Sequence, residues 1–251
     1  MIKHLCLLFL ISFTCHSIAQ HAKVAIIIDD IGYRKTDIQT LELPGNITYA
    51  VLPHTPFGKH IAQLAFQAKN DVIIHVPMES TSGKKLGPGG LTAQMDETEI
   101  RHALTLALEE IPFAVGINNH MGSKLTTLYS PMAWTMRFLK EKDLIFIDSV
   151  TTRNSKARRL AKQFSVPNLS RRVFLDNQLD QAYIKQQFDE LIYHAKRNKS
   201  VVAIAHPHPE TIKALKSFIP ELKKHNIDLV KISALLPKKP RLVTQMIAEE
   251  E

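Results

Sequence analysis

Two adjacent carboxylates, Asp29 and Asp30, close the apolar run Val24–Ile28. Neighbouring carboxylates at the end of a buried strand repel each other unless a cation or hydrogen bonds absorb the charge. One of them can hold a metal while the other, pointing elsewhere, accepts a proton from a water molecule. An isolated acidic doublet is also a common helix cap or Asx turn, so other residues must decide between the readings. His75 follows Val-Ile-Ile and precedes Val-Pro-Met-Glu79. Taken singly it reads as a core histidine. Its four-residue spacing to Glu79 would let both meet one ion if a helical turn began here, and Pro77 weighs against that geometry. His120 stands behind Asn118-Asn119 and before Met121-Gly122, in a constrained turn. Two imidazoles and a carboxylate make a common zinc set with a position left open for water. The same set suits other borderline divalent ions.

Such side chains need a scaffold to bring them together. Short apolar runs at Val24–Ile28, Ile47–Leu52, Val72–Val76, Phe113–Ile117, Leu144–Ile147, Arg172–Leu175, Val201–Ala205 and Leu229–Ile232 alternate with amphipathic stretches. Several runs are continuously β-branched, as in parallel strands buried on both faces. Helix starts are visible between them. Asp96 and Glu99 have capping-box spacing, Ser130-Pro131 places a cap before proline, and Asn154 or Ser155 precedes another apolar stripe. A further stripe runs from Asp176, and Pro209-Glu210 opens a helix expected to close near Asn226. About seven or eight strand–helix alternations predict one domain, a distorted α/β or (β/α) barrel of about seven strands. A doubly wound open sheet is the competing arrangement. Neither GxGxxG nor GxxxxGK[ST] is present to support nucleotide binding.

In a barrel, the positions just after the strands converge on one rim. Here those positions hold Asp29-Asp30, His54, His75, Asn118-Asn119-His120, Asp148, Asp176, and His206 with His208. Five histidines and an acidic pair on one rim point to a site. Tyr33 and Phe57 are candidate groove walls, Trp134 and Phe138 are expected in the core, and the glycine-rich Lys84–Gly90 stretch is a loop.

The chain has 251 residues and a formal charge of +8. Residues 1–19 combine Lys3, an apolar core from Leu5 to Phe13, and Ser17-Ile18-Ala19, the pattern of a signal peptide cut after Ala19. An uncleaved anchor is the alternative reading. Cleavage removes Cys6 and Cys15, leaving a thiol-free chain suited to an oxidising compartment such as the periplasm. The barrel is expected over 20–237, with 238–251 as a flexible tail. Basic segments such as Lys156–Arg159, Arg171-Arg172 and Lys196-Arg197 carry no aromatic-interleaved nucleic-acid motif. After an export signal, this charge suits anionic envelope material better than nucleic acid, and its plainest reading is a solvated surface.

Ile27-Ile28-Asp29-Asp30-Ile31-Gly32 resembles the T-F-D-D-G opening of the polysaccharide deacetylases, the NodB-type carbohydrate esterases. With His75, Asn118-Asn119-His120-Met121-Gly122-Ser123 and Ala205-His206-Pro207-His208-Pro209, the chain from about Lys23 to Pro237 resembles the divergent, YibQ-like branch of that family. The resemblance implies a NodB-like barrel and metal-assisted removal of an acetyl group from a sugar. It also implies Asp29 as general base, Asp30 and His75 as ligands of a divalent metal (zinc by expectation), and His206 as general acid. Glu79 stands where the family has its second metal histidine, so either Glu79 or His120 completes the set. Asn118 and Asn119 stand in place of the arginine segment that positions the base. Glu79, Asn118, Asn119, Asp148 and His208 are expected to bind the substrate or support the site. The altered motifs keep a second reading open, a non-catalytic envelope protein that binds a glycan or a protein partner in the same groove.

Overall fold

The computed structural model describes residues 21–237. The expected signal segment 1–19 and tail 238–251 lie outside the described residues. The elements follow in order as β1 (Ala22–Ile31), β2 (Ile47–Val51), α1 (Gly58–Gln67), β3 (Asp71–Met78), α2 (Glu97–Glu110), β4 (Gly116–Met121), α3 (Tyr129–Glu141) and β5 (Ile145–Asp148). Then come α4 (Ala157–Gln163), β6 (Asn168–Ser170), β7 (Val173–Phe174), α5 (Gln181–Asn198), β8 (Ser200–Ala205), α6 (Pro209–Phe218), α7 (Glu221–Lys224) and β9 (Ile227–Leu229). Nine parallel strands make one sheet in the order β6-β5-β4-β3-β2-β1-β8-β7, with β9 added beside the start of β1.

The sheet curls into a barrel that its hydrogen bonds do not close. β6 and β7 are its two ends, joined only by Arg171-Arg172. The Arg171 N–H still donates to the Asp148 carbonyl of β5, and the Arg172 N–H already donates to the Val202 carbonyl of β8. The chain thus steps across the seam in two residues.

Alternation along each strand separates two cores. Val24, Ile26 and Ile28 join the large outer core against the helices, whereas Ala25 and Ile27 join a smaller cluster with Ala50, Ile73, Ile147, Val202 and Ile204. That inner cluster fills the barrel and is plugged by Ile232 from a 3-10 turn, Ile232–Leu235.

Several boundaries differ from the sequence reading. The fourth strand extends through His120, and Asp29-Asp30 and His75 also lie within strands, so the chemistry sits on the last strand residues as well as beyond them. The strand expected at Arg172–Leu175 divides into the seam and two-residue β7, β6 is additional, and the last strand is Ile227–Leu229. The Asp96–Glu99 capping box is present, with reciprocal bonds of 2.9 Å. Ser130 caps nothing, because α3 begins at Tyr129. Ser155 accepts from the Ala157 N–H at the start of α4. Asp180, rather than Asp176, caps α5. The helix opened by Pro209 ends at Phe218, and α7 is separate.

Candidate active site

By strand alternation Asp29 follows Ile27, His75 follows Ile73, and His206 follows Ile204 on the inward face. Asn118 and His120 lie on the inward face of β4, because Ile117 between Gly116 and Asn118 belongs to the outer core. A polar layer is therefore stacked directly above the apolar filling of the barrel.

Alternation alone would turn Asp30 away from Asp29. The β1–β2 register shifts between Ile28 and Ile31, and Asp30 adopts φ 60°. Positive φ is uncommon for residues other than glycine, though aspartate tolerates it better than most. The irregularity re-aims Asp30, so that both carboxylates reach His75 Nε2: Asp30 Oδ1 at 3.1 Å and Asp29 Oδ2 at 3.7 Å.

His120 Nδ1 lies 2.8 Å from Asp30 Oδ1 and 3.1 Å from His75 Nε2. One carboxylate oxygen and two imidazole nitrogens thus form a triangle with sides of 2.8, 3.1 and 3.1 Å. Donors about 2.05 Å from a tetrahedral ion would sit about 3.3 Å apart, so modest expansion of this triangle accommodates zinc or a similar cation. Among the described residues, Asp30, His75 and His120 are the group able to hold a metal.

Electrostatics agree with the donor geometry. Burial pushes the Asp30 carboxyl up, but His120 and His75 outweigh it and hold the group well below the usual carboxylate range. Burial disfavours a charged His75, yet Asp29 and Asp30 outweigh it and raise its pKa. The cluster attracts positive charge to the point where a cation would be held.

Asn118 supports both halves of the chemistry. His75 Nδ1, as the N–H tautomer, donates to Asn118 Oδ1 at 2.7 Å, leaving Nε2 free as a ligand. Asn118 Nδ2 donates to Asp29 Oδ1 at 2.8 Å. Asp29 is buried, and burial raises its pKa, while the charges of His75 and His206 and the Asn118 N–H act in the opposite sense.

His206 belongs to a second cluster. Asp176 Oδ1 lies 2.9 Å from His206 Nδ1, and Asp176 Oδ2 accepts from the His206 N–H and from Thr211 Oγ1. Burial lowers the pKa of His206, but the Asp176 carboxylate outweighs it and raises the imidazole to about 9. In the sequence Asp176 reads as a strand-end acid at the head of a helical stripe; its inward register with Phe174 on β7 is the signal that pairs it with His206. His206 and His120 both line an open cleft of about 170 Å³ with Asp30, Tyr33 and His208.

Most other candidates lie outside that cleft. Glu79 binds Lys124 Nζ at 2.5 Å and accepts from the Ala93 N–H at 2.7 Å, so His120 completes the ligand triangle and Glu79 braces two loops. No helical turn follows His75, since β3 runs through Met78. Asn119 accepts from the Ser149 N–H and donates to the Met121 carbonyl, linking strand ends on the outward register. Asp148 accepts from the Val150 N–H and Ser155 Oγ, holding the turn after β5. His54 pairs with Glu110 at 2.6 Å, and Phe57 packs on the outer core. Phe138 is buried in the outer core, and Trp134 is partly buried against that core. His208 lines the cleft at the start of α6, its ring 6.2 Å from that of His206.

In the sequence Arg171 is one member of a basic pair with no motif around it. Its Nε donates to the Ser149 carbonyl at 2.6 Å and Nη2 to the Val150 carbonyl at 2.8 Å, with its guanidinium 3.8 Å from the Phe174 ring centroid. Burial lowers its pKa, with Asp148 and Asp29 pulling the other way.

The sequence profile described as divergent polysaccharide deacetylase matches residues 26–236. The chain belongs to that family. It is 41% identical over 215 residues to the YibQ protein of Escherichia coli, covering 85% of this chain and 67% of the relative. A crystal structure of an Agrobacterium tumefaciens protein superposes with a TM-score of 0.83 at 25% identity, covering 87% of this chain and 91% of the other. The catalytic domain of a peptidoglycan N-acetylglucosamine deacetylase from Eubacterium rectale shares the fold at a TM-score of 0.57 and 14% identity, over 89% and 94% of the two chains. Of the positions the family likeness singles out, Asp29, His75 and His206 fall on the inward register, and Asp30 is turned to them by the irregularity in β1.

Proposed function

We propose that the chain is an exported, metal-dependent hydrolase that removes acetyl groups from a polysaccharide or peptidoglycan-like glycan. The carrying observation is that one cleft joins the Asp30–His75–His120 triangle to the His206–Asp176 pair, with Asp29 tied to the triangle through Asn118. The Eubacterium rectale neighbour, a peptidoglycan deacetylase by description, supports the substrate class. Export rests on the expected signal segment, and a periplasmic site is part of the same proposal.

Asp30, His75 and His120 would hold the cation, zinc fitting the mixed nitrogen and oxygen donors. When bound, it supplies Lewis-acid polarisation and makes water more acidic. Asp29 accepts the proton of the water that attacks the acetyl carbon, and Asn118 keeps its carboxylate oriented. His206, kept protonated and oriented by Asp176, gives a proton to the departing nitrogen or oxygen as the carbon–heteroatom bond breaks. Acetate and a free amine or hydroxyl result. The cleft is smaller than the ~300 Å³ at which enclosing ligand pockets begin, so it receives an acetyl-bearing end while the sugar chain lies outside.

The test is acetate release from acetylated chito-oligosaccharides and acetylxylan by the zinc-loaded protein. Release lost in Asp29→Asn, with zinc content retained, is the expected result. Zinc-loaded protein that binds these glycans but liberates no acetate would replace hydrolysis with the non-catalytic groove reading.

A further inference from the structure

The seam that leaves the barrel unclosed by hydrogen bonds is a cleft of about 400 Å³ between β6 and β8. Arg158 lines it from α4 and Arg172 from the crossing segment, and Ser170, Asn198 and Ser200 add neutral polar groups beside Leu235. Two basic segments, fourteen residues apart in the chain, are thereby brought to one place.

Neither guanidinium has a protein partner among the described hydrogen bonds and ion pairs, and no acidic residue lines the cleft. Arg101 and Arg137, by contrast, each meet a glutamate. The flanking strand edges are also open. β6 bonds to β5 through Pro167 and Arg171, and β8 accepts from the crossing segment at Val202 and Ile204, so the Ser170 and Ser200 peptide groups face the gap by alternation. A guanidinium presents several N–H donors in a planar fork that matches two oxygens of a carboxylate or phosphate.

We propose that this cleft is an oxyanion-binding subsite, in which Arg158 and Arg172 together take one phosphate or carboxylate group of an anionic ligand. The chemistry is independent of the catalytic mouth, because none of its lining residues belongs to the metal triangle or the His206–Asp176 pair. A neighbouring pair of guanidiniums is favoured by a ligand that neutralises their mutual repulsion, and a single bound oxyanion does so for both.

The test is calorimetric titration of the full chain at low salt with inorganic phosphate and, separately, with a trigalacturonate, using neutral galactotriose as control. At least one anion is expected to bind, with tenfold or greater weakening in Arg158→Ala and Arg172→Ala and loss in the double variant. Arg172→Lys should also weaken binding, since it keeps the charge but not the fork. Binding of phosphate alone assigns a phosphate-bearing ligand, and binding of trigalacturonate alone assigns a uronate. No binding of either anion, or binding unchanged in the double variant while circular dichroism shows both proteins folded, overturns the proposal. Unaltered acetate release in the double variant would leave the deacetylase reading standing apart from this one.

Discussion

Replacing Asn118 by alanine removes the acceptor for His75 Nδ1 and the donor to Asp29 Oδ1 together. Supporting partners of metal-ligating histidines typically contribute 10–100-fold to affinity or activity. Asn118→Ala should weaken zinc binding by roughly that factor, read by chelator competition. Unchanged affinity would show that Asn118 does not set the His75 tautomer. His206 makes a separate prediction about pH. Its folded pKa is raised to about 9 against burial by Asp176, so its charged contacts stabilise the fold fully below about 6.5, the ordinary histidine value. That contribution is lost as pH rises through about 9. In metal-stripped protein, the melting-temperature gap between wild type and His206→Asn should narrow between pH 6.5 and 9. A gap constant across this range would contradict the Asp176 pairing. Asp30 tests metal loading directly: saturating zinc should raise the melting temperature of the wild type and leave Asp30→Ala unmoved, because only a ligand bound by the native state shifts unfolding.

Among the elements, α2 shows what local pattern can specify. Asp96 and Glu99 lie three apart in sequence, their reciprocal bonds need no distant partner, and the structure contains them. Asp96→Ala should cost about 1 kcal/mol in urea unfolding, as loss of such caps does. The same substitution at Ser130, which lies inside α3 and caps nothing, should fall well below that. The site was legible in a similar but incomplete way. Strand-end acids and histidines placed Asp29, Asp30, His75, His120 and His206 on one rim, and parallel strands deliver them there. Apolar period alone could not tell which neighbours face inward once the strands proved longer than their apolar runs. Asn119 and Asp148 fall on the outward register, and Glu79 lies past β3 where Lys124 captures it. Asp30 required something no period encodes, a register shift with left-handed backbone that puts two consecutive carboxylates on one imidazole.

At the scale of the whole molecule, the barrel's integrity depends on a seam spanned by covalent chain rather than by a ladder. β6 and β7 are too short to predict from sequence, with three and two residues, because a strand that short carries no period. What secures the crossing is Arg171, which grips the Ser149 and Val150 carbonyls beyond β5 while stacking on Phe174 of β7. Val150, a β-branched residue, is held at φ 49°, a conformation it would not adopt without such anchors. Arg171→Met keeps length and apolar contact but strands both carbonyls, and hydrogen bonds to charged donors contribute about 1.5–3 kcal/mol each. Since Arg171 is only partly buried, water recovers some of that, and a loss of about 2–3 kcal/mol in urea unfolding is expected. Arg171→Lys should recover little, because one ammonium cannot reproduce the paired Nε and Nη2 donors. The loosened seam should also reach the mouth. The Ser149 N–H is held by Asn119 beside Asn118, and Asp29 is one of the carboxylates that offset the cost of burying Arg171. Hydrogen exchange should therefore quicken at Ser149–Val150 and at β7 together in Arg171→Met. Quickening confined to β7 would mean that the two sides of the seam are not mechanically joined through this side chain.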